Sequence, residues 1–483
     1  LSYTPFVIDE PMFIEMSLNW IKGGPFPLTG MGGSSLPIPY GAGAIWFYAI
    51  PQAIAPDSLL FTYLHTTVFS LGFVFLFLAV RIVYGTPIAA WVFLFATSSP
   101  YFFFFSRHPW DTTLFIPITG ACLYLLASLS AEGAGASARK TIFKYFLLGI
   151  LIGYAINIQL ACGAFVLTLT IILALHLWSR EGFKSRGLLY FALFPLTVAI
   201  AIAPYLWESW RMIQEGRVIQ PGKSFERWGN LRHFWWNLMF SAVGISVWKA
   251  KHFFEPGYEE FYRFAGAVPT FFFRLDLFGW VAKAAVWFFL FAGLLKIARG
   301  KVKTLSILEC FACVGFAVIM LLFQYLNIPV ATHYFQSFWW LSFLGIAIAL
   351  ARLQEKGVKI FLGVAGAVVL VNIVFVANAM SFLVANGGTR GMHHGTGAGE
   401  VRASVRSLCS VVRASGKTQA KLDTSRVYTR PNPVNFFLRR LEECSGLDIS
   451  VFGYAINDAD YYFIYDPESR SDARLRLMPK EGP

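Results

Sequence analysis

Ten apolar runs occupy most of this 483-residue chain, at roughly 58–80, 87–105, 112–130, 143–158, 160–178, 188–207, 277–298, 305–323, 335–351 and 360–383. About 20 residues of helix cross the hydrocarbon of a bilayer. In lipid every backbone N–H and C=O has to be satisfied within the chain, which leaves helices or a closed barrel. Runs of this length predict a polytopic α-helical membrane protein with about ten spans. The stretch from Tyr145 to Trp178 is too long for one of them. Asn157 and Gln159 mark its break, so it reads as two helices joined by a tight turn.

Basic residues sort the junctions by side. Arg81, then Arg139, Lys140 and Lys144, then Arg180, Lys184 and Arg186 follow the first, third and fifth runs. Lys296, Arg299, Lys301 and Lys303 follow the seventh, and Arg352, Lys356 and Lys359 the ninth. Every second connection is therefore cytoplasmic by the positive-inside rule. This accounts for the net charge of +13 without nucleic acid as a partner. Charged residues make up only 14% of the chain, against about a quarter in soluble domains, which excludes an ordinary soluble protein. An even number of spans leaves both ends outside. Since insertion ordinarily starts inside, an eleventh helix is expected before Leu1.

Two segments outside the spans have their own character. From about 208 to 276, Trp207, Trp210, Trp228, Trp235, Trp236 and Trp248 alternate with Arg and Lys, the pattern of helices lying in the membrane interface. The polar tail after about 384 reads as a small α/β domain, with a helix over Glu400–Ala414 and strands at Ser425–Thr429, Ile449–Tyr454 and Tyr461–Tyr465. The expected organisation is a membrane domain over 1–383 and an external domain over 384–483. Cys409 and Cys444 lie in that tail, where an external location allows a disulfide. Cys310 and Cys313 form a lone CxxC inside a helical pattern and predict no metal site.

The chemistry-bearing residues fall in the external connections. Asp9-Glu10-Pro11 precedes a short amphipathic stretch ending at Gly23-Gly24. Asp is a strong N-cap and Pro suits the first helical turn, so capping is one reading of the pair. The other leaves a carboxylate free as a general base that takes a proton from an attacking hydroxyl or amine. Ser106-Arg107-His108-Pro109-Trp110-Asp111 joins two spans on the same side. Asp111 either caps the helix that starts at Thr112 or meets Asp9 and Glu10 across a cavity. Oxygen ligands of that kind suit a hard divalent cation, here with Asp111 as the metal residue. Arg107 can hold a phosphate through two hydrogen bonds. His108 shares that loop, and His333-Tyr334 lies just before a late span; these too are candidate substrate-binding residues. Asn386-Gly387-Gly388-Thr389-Arg390-Gly391 has the look of a phosphate loop, but no strand precedes it and the Gly-Lys-Ser/Thr ending is missing.

In layout over roughly residues 1–380, the chain resembles the glycosyltransferase-C superfamily, which includes protein O-mannosyltransferases and the aminoarabinose transferases of lipid A. The shared order is an acidic pair in the first external loop, a Gly/Ser/Pro-rich stretch (Gly30–Pro39), Ser99-Pro100 late in a span, Ser106-Arg107 with Asp111, and a His-Tyr before a late span. The resemblance implies Asp9 or Glu10 as the catalytic acid–base residue and Asp111 as a second acidic one. It also implies a polyprenyl-phosphate sugar as donor, with membrane lipids around it and an acceptor the sequence does not name. A bacterial inner membrane with its site on the periplasmic face follows. A divalent cation is the one cofactor to test for. Two other classes fit the spans alone: a transporter or flippase for a lipid-linked substrate, and a non-catalytic subunit in which Asp9, Glu10 and Asp111 serve as caps.

Overall fold

The computed structural model describes residues 10–32, 39–55, 60–106, 109–132, 137–181, 185–217, 254, 258–275, 277–326, 338–355, 357, 360–386, 398–424, 431–452, 458–465 and 475–479. Each of the ten apolar runs overlaps a helix or a bent pair of helices. These are α3 (Leu60–Tyr84), α4 with α5 (Thr86–Ser98, Pro100–Ser106), α6 (Phe115–Ala131), α7 (Ala138–Ile158), α8 (Gly163–Glu181) and α9 (Ser185–Gln214). The later ones are α12 (Leu277–Ala298), α13 (Ile307–Leu326), α14 (Trp339–Glu355) and α15 (Ile360–Asn386). Before them come α1 (Glu10–Ile21) and α2 (Gly43–Ile54); α10 (Tyr258–Ala265) and α11 (Ala267–Leu275) precede α12.

Among the described residues six helices are long and apolar enough to cross a membrane, and the bent pair makes seven. The ten spans expected from the sequence are not reached on this measure; over their described side chains α8 and α13 contribute the apolar stretches Gly163–Leu177 and Ile307–Leu322. In α14 every residue from Trp339 to Ala351 is buried. A helix apolar around its whole circumference belongs inside a bundle, and α14 sits there.

Small residues let the helices close. Lipid tails are as apolar as leucine, so helix pairs in a membrane gain from close packing rather than from leaving water. Where α3 meets α6, a Cβ added to Gly120 would lie 2.6 Å from the Gly72 carbonyl oxygen. Gly149 and Gly153, four apart on α7, face Thr197 and Ala201 of α9 in the same way. Beyond that seam the Asn157 amide donates to the carbonyls of Gly153 (2.9 Å) and Ala201 (3.0 Å). The helix then ends at Ile158, and Gln159 is extended. This is where the sequence predicts the break.

One end of the bundle is basic. Arg81, Lys296 and Arg352 lie in the last turns of α3, α12 and α14. There Ser306 and Glu309 form a capping box on α13, each side chain bonded to the other's backbone N–H (2.9 and 3.1 Å). Both Glu309 oxygens also accept from Arg352, at 2.7 and 2.8 Å, which locks α13 to α14. Tyr84 at the end of α3 bonds Ser306 at 2.8 Å, so the same cluster holds three helices.

The C-terminal residues form an α/β unit. Strands β3 (Gln419–Asp423), β4 (Asp448–Phe452), β5 (Tyr461–Tyr465) and β6 (Leu475–Pro479) make one sheet in the order β4-β3-β5-β6. β3 is parallel to β4 and β5, and β6 runs antiparallel at the edge. Parallel neighbours need a crossover, which α17 (Pro431–Leu438) supplies between β3 and β4. Val401, Val405, Leu408 and Val412 of α16 (Ala398–Ala414) are fully buried at helical spacing. Cys409 of α16 and Cys444 form a disulfide. The first strand is β3, earlier than the Ser425–Thr429 of the sequence reading; residues 425–430 lie outside those described.

Candidate functional site

The corner before α6 is built by a broken span. Pro100 has no N–H to donate and disfavours helical geometry in the residue before it. Ser99 accordingly leaves the helix at φ −63, ψ 121, and α5 runs 61° away from α4. The bend is not a re-entrant loop. The Thr66 hydroxyl, near the start of α3, lies 3.0 Å from the Ser106 carbonyl oxygen, while Arg81 and Tyr84 lie at the other end of α3. α4 and α5 together therefore traverse the same thickness as α3, and the corner lies at the end opposite the basic one.

Asp111 stands at this corner, only 8% exposed. Its Oδ1 accepts the Thr112 N–H at 2.7 Å, and a 3-10 turn, Thr112–Leu114, leads into α6. Thr113 donates its hydroxyl proton to the Trp110 carbonyl at 2.5 Å. The same Oγ1 lies 3.0 Å from His65 Nε2, and His65 Nδ1 lies 3.0 Å from the Tyr48 hydroxyl. His65 is 1% exposed, and Tyr48 and Thr113 are fully buried. A polar chain thus runs from α2 through α3 to the residues flanking Asp111. The sequence reading singled out neither Tyr48 nor His65. The signal was an ionisable residue inside an apolar run, and such residues are kept in membranes at a cost.

The same contacts lead back to the acidic pair. Glu10 is the first described residue of α1. Asp9 and the Glu10 side chain lie outside the described residues. One turn on, the Phe13 ring meets Tyr48 at 6.5 Å. Ser17 donates to the Ile45 carbonyl of α2 at 2.9 Å. α1 is thus packed on the helix that carries Tyr48, and Tyr48 reaches Asp111's neighbour through His65. On its other side Glu15 of α1 pairs with Arg439 just after α17, so the C-terminal unit rests on this helix too.

The glycine-rich stretch is seated nearby. Strands β1 (Thr29–Gly32) and β2 (Pro39–Gly41) pair antiparallel. A Cβ at Gly41 would lie 2.6 Å from Asn157 Cα, so only glycine lets this loop lie on the α7 end. Tyr154 donates to the Gly43 carbonyl (2.9 Å) and Tyr205 to that of Pro39 (3.0 Å), fixing both sides of β2.

Arg107, His108, His333 and Tyr334 lie outside the described residues, as do Trp228, Trp235, Trp236 and Trp248 and the glycine-rich loop after Asn386. Arg274 pairs with Glu259 at 3.1 Å. Among the described residues no group of three or more His, Cys, Asp or Glu is placed to hold a metal ion.

No protein-family model and no curated protein matches the sequence. Among solved structures the chain is similar to ArnT from Cupriavidus metallidurans bound to undecaprenyl phosphate, at 13% identity and a TM-score of 0.49, over 93% of this chain and 86% of that one. It is also similar to the oligosaccharyltransferase AglB of Archaeoglobus fulgidus in complex with an inhibitory peptide and a dolichol-phosphate, at 12% identity and a TM-score of 0.47. That alignment covers 92% of this chain and 60% of AglB, so the chain spans about three fifths of AglB's length. A third structure, of the same Archaeoglobus fulgidus enzyme with Zn and sulfate, aligns at 12% identity and a TM-score of 0.46, over 92% of this chain and 58% of that one. Both enzymes are glycosyltransferases of the glycosyltransferase-C superfamily.

Proposed function

We propose that this chain is a membrane glycosyltransferase that moves a sugar from a polyprenyl-phosphate donor to an acceptor at the external membrane face. The donor is the one that the resemblance of the chain's motif order to the glycosyltransferase-C superfamily implies. The observation that carries the reading is Asp111. A carboxylate 8% exposed at a membrane-protein corner, opposite the basic end, is costly to keep unless it is hydrogen-bonded or paired, as Asp111 is to the Thr112 N–H, and such residues in membrane proteins mark functional sites. α1, headed by the acidic pair, is linked to that corner through Tyr48 and His65. The motif order of the sequence points the same way.

The chemistry follows from the placement. A lipid-linked donor lies in the bilayer with its phosphate at the surface, so the reacting bond sits at a span end. The base, Asp9 or Glu10, takes the proton of an acceptor hydroxyl. The oxygen bonds to the anomeric carbon, the bond from that carbon to the phosphate oxygen breaks, and polyprenyl phosphate leaves with the electron pair. Arg107, His108, His333 and Tyr334 are the groups to receive the phosphate and sugar, since an anion leaving at a membrane face needs cationic or hydrogen-bonding partners. The Cys409–Cys444 disulfide suits an oxidising compartment, which supports a reading with the C-terminal unit, and α1 against it, on the periplasmic side of a bacterial inner membrane.

The test is transfer of a labelled sugar from polyprenyl-phosphate donors by the purified protein and its Asp9→Asn, Glu10→Gln and Asp111→Asn variants. Loss of a general base lowers turnover by roughly a hundredfold or more. One of the first two variants is expected to show that loss with donor affinity nearly unchanged, and Asp111→Asn to show a loss as well. Full activity in all three removes the carboxylate mechanism.

A further inference from the structure

We propose that His65 is a positioning residue that holds the Trp110–Thr113 corner, and with it Asp111, in place by donating a hydrogen bond from Nε2. This deepens the glycosyltransferase reading and rests on it only for the effect on turnover.

The direction of each bond in the chain can be assigned. A threonine hydroxyl has one proton. Thr113 gives it to the Trp110 carbonyl, which only accepts. Toward His65 the same oxygen is therefore an acceptor, so His65 Nε2 carries the proton. In the neutral ring Nδ1 then accepts from the Tyr48 hydroxyl. The order Tyr48 to His65 to Thr113 to Trp110 is fixed by its last member, a backbone carbonyl with no proton to give.

That carbonyl belongs to the residue immediately before Asp111, and Thr113 lies two residues after it. The chain thus grips the backbone on both sides of the carboxylate, whose Oδ1 in turn accepts the Thr112 N–H between them. Every link is buried, which makes an unmade bond expensive and a made one rigid. Phe47 and Phe69 flank the ring at 6.4 and 6.3 Å, so the imidazole has apolar walls.

Two substitutions separate a donor from a filler. His65→Gln keeps an N–H group near the Nε2 position and can still donate to Thr113. His65→Asn keeps an acceptor for Tyr48 but is too short to reach Thr113. Two readouts are taken on the full-length protein. The first is hydrogen exchange of the 110–114 segment, which needs no activity. The second is the split of kcat and KM in sugar transfer. In His65→Asn the segment is expected to exchange roughly tenfold faster or more, the usual scale for one lost buried hydrogen bond. In that variant kcat falls by a similar factor with the KM for donor unchanged. In His65→Gln protection and most of the turnover return. Unchanged exchange in His65→Asn, or equal damage in both variants, overturns the proposal. If wild-type protein transfers no sugar while the exchange pattern holds, the positioning role stands and the glycosyltransferase reading falls.

Discussion

Alanine at Gly153 sets two effects of known size against each other. In an isolated helix, Gly→Ala gains about 1 kcal/mol. Here the added Cβ would overlap the Ala201 Cβ of α9; the next neighbours, the Val198 carbonyl oxygen and Ala201 Cα, lie at 3.6 and 3.7 Å, which is ordinary contact. Relieving one such overlap means moving α7 off α9, and overpacking of that kind costs typically about 1–3 kcal/mol. The clash outweighs the propensity gain, and the variant is expected to be less stable by up to about 2 kcal/mol. Since a single atom causes it, Ala201→Gly in the same chain removes it. The double variant then exchanges an Ala→Gly loss on α9 for a Gly→Ala gain on α7 and returns close to wild type. The measurement is a double-mutant cycle on unfolding in detergent micelles, where contacting residues show coupling of about 0.5–3 kcal/mol. Gly153→Ala at or above wild-type stability, or a cycle with no coupling, refutes the close-packed seam. Sugar transfer should follow the same order, because the seam runs straight into Asn157, which bonds Ala201 and seats Gly41.

Two further outcomes concern the C-terminal unit. Asp460 is held below the ordinary carboxylate range by its hydrogen bond from Lys417 (2.7 Å) and then by the Lys421 N–H (2.9 Å). A lowered folded pKa means the stabilisation is full above the unfolded value and lost as pH falls through the folded one. The protection of the Lys421 amide, its exchange relative to the intrinsic rate at each pH, is therefore expected to hold near neutral pH and to fall once pH drops below about 4; protection that is lost only toward alkaline pH contradicts this. The disulfide closes 35 residues, which on chain entropy contributes about 4 kcal/mol. Replacing Cys409 and Cys444 by Ala should raise exchange in α16 by up to a few hundredfold, whereas unchanged exchange shows that packing alone holds that helix.

The repeating elements were legible in the sequence and the site only in outline. Apolar length located the helices from α3 to α9 and from α12 to α15, and Asn157 and Gln159 located the break after α7, because these follow from local rules about backbone hydrogen bonds; the bend at Ser99-Pro100 falls inside a run that the sequence reading took as one span. What length alone does not show is how much of each helix meets lipid. α14 reads as a span like the others, and only its packing shows that it is enclosed. The seam glycines carried a motif, Gly149 and Gly153, whose partner helix no local pattern names. Asp111 was found because it is the one acidic residue in a short connection between two spans. His65 was passed over because its partners, Tyr48 and Thr113, lie 17 and 48 residues away and meet it only in three dimensions.

The break at Pro100 explains why a polar corner exists at this depth. Irregular backbone within a membrane protein persists only where protein groups replace the missing helical bonds. In an unbroken span the carbonyls of Ser106 and Trp110 would each meet a backbone N–H four residues on. Instead the Thr66 hydroxyl, which also faces the Thr62 carbonyl at 2.9 Å, lies 3.0 Å from the Ser106 carbonyl oxygen, and the Trp110 carbonyl accepts from Thr113, which is itself held by His65. The hydroxyls and the imidazole are thus required by the bend before any chemistry is asked of the site. Once they are present, they form a fixed, water-poor frame, and Asp111 is the charged group within it. A carboxylate held in such a frame needs little reorganisation when a charge develops nearby, which is the condition under which electrostatic stabilisation is strongest. The proline that costs the span its straight ladder is, on this view, what makes the end of that span suitable for group transfer.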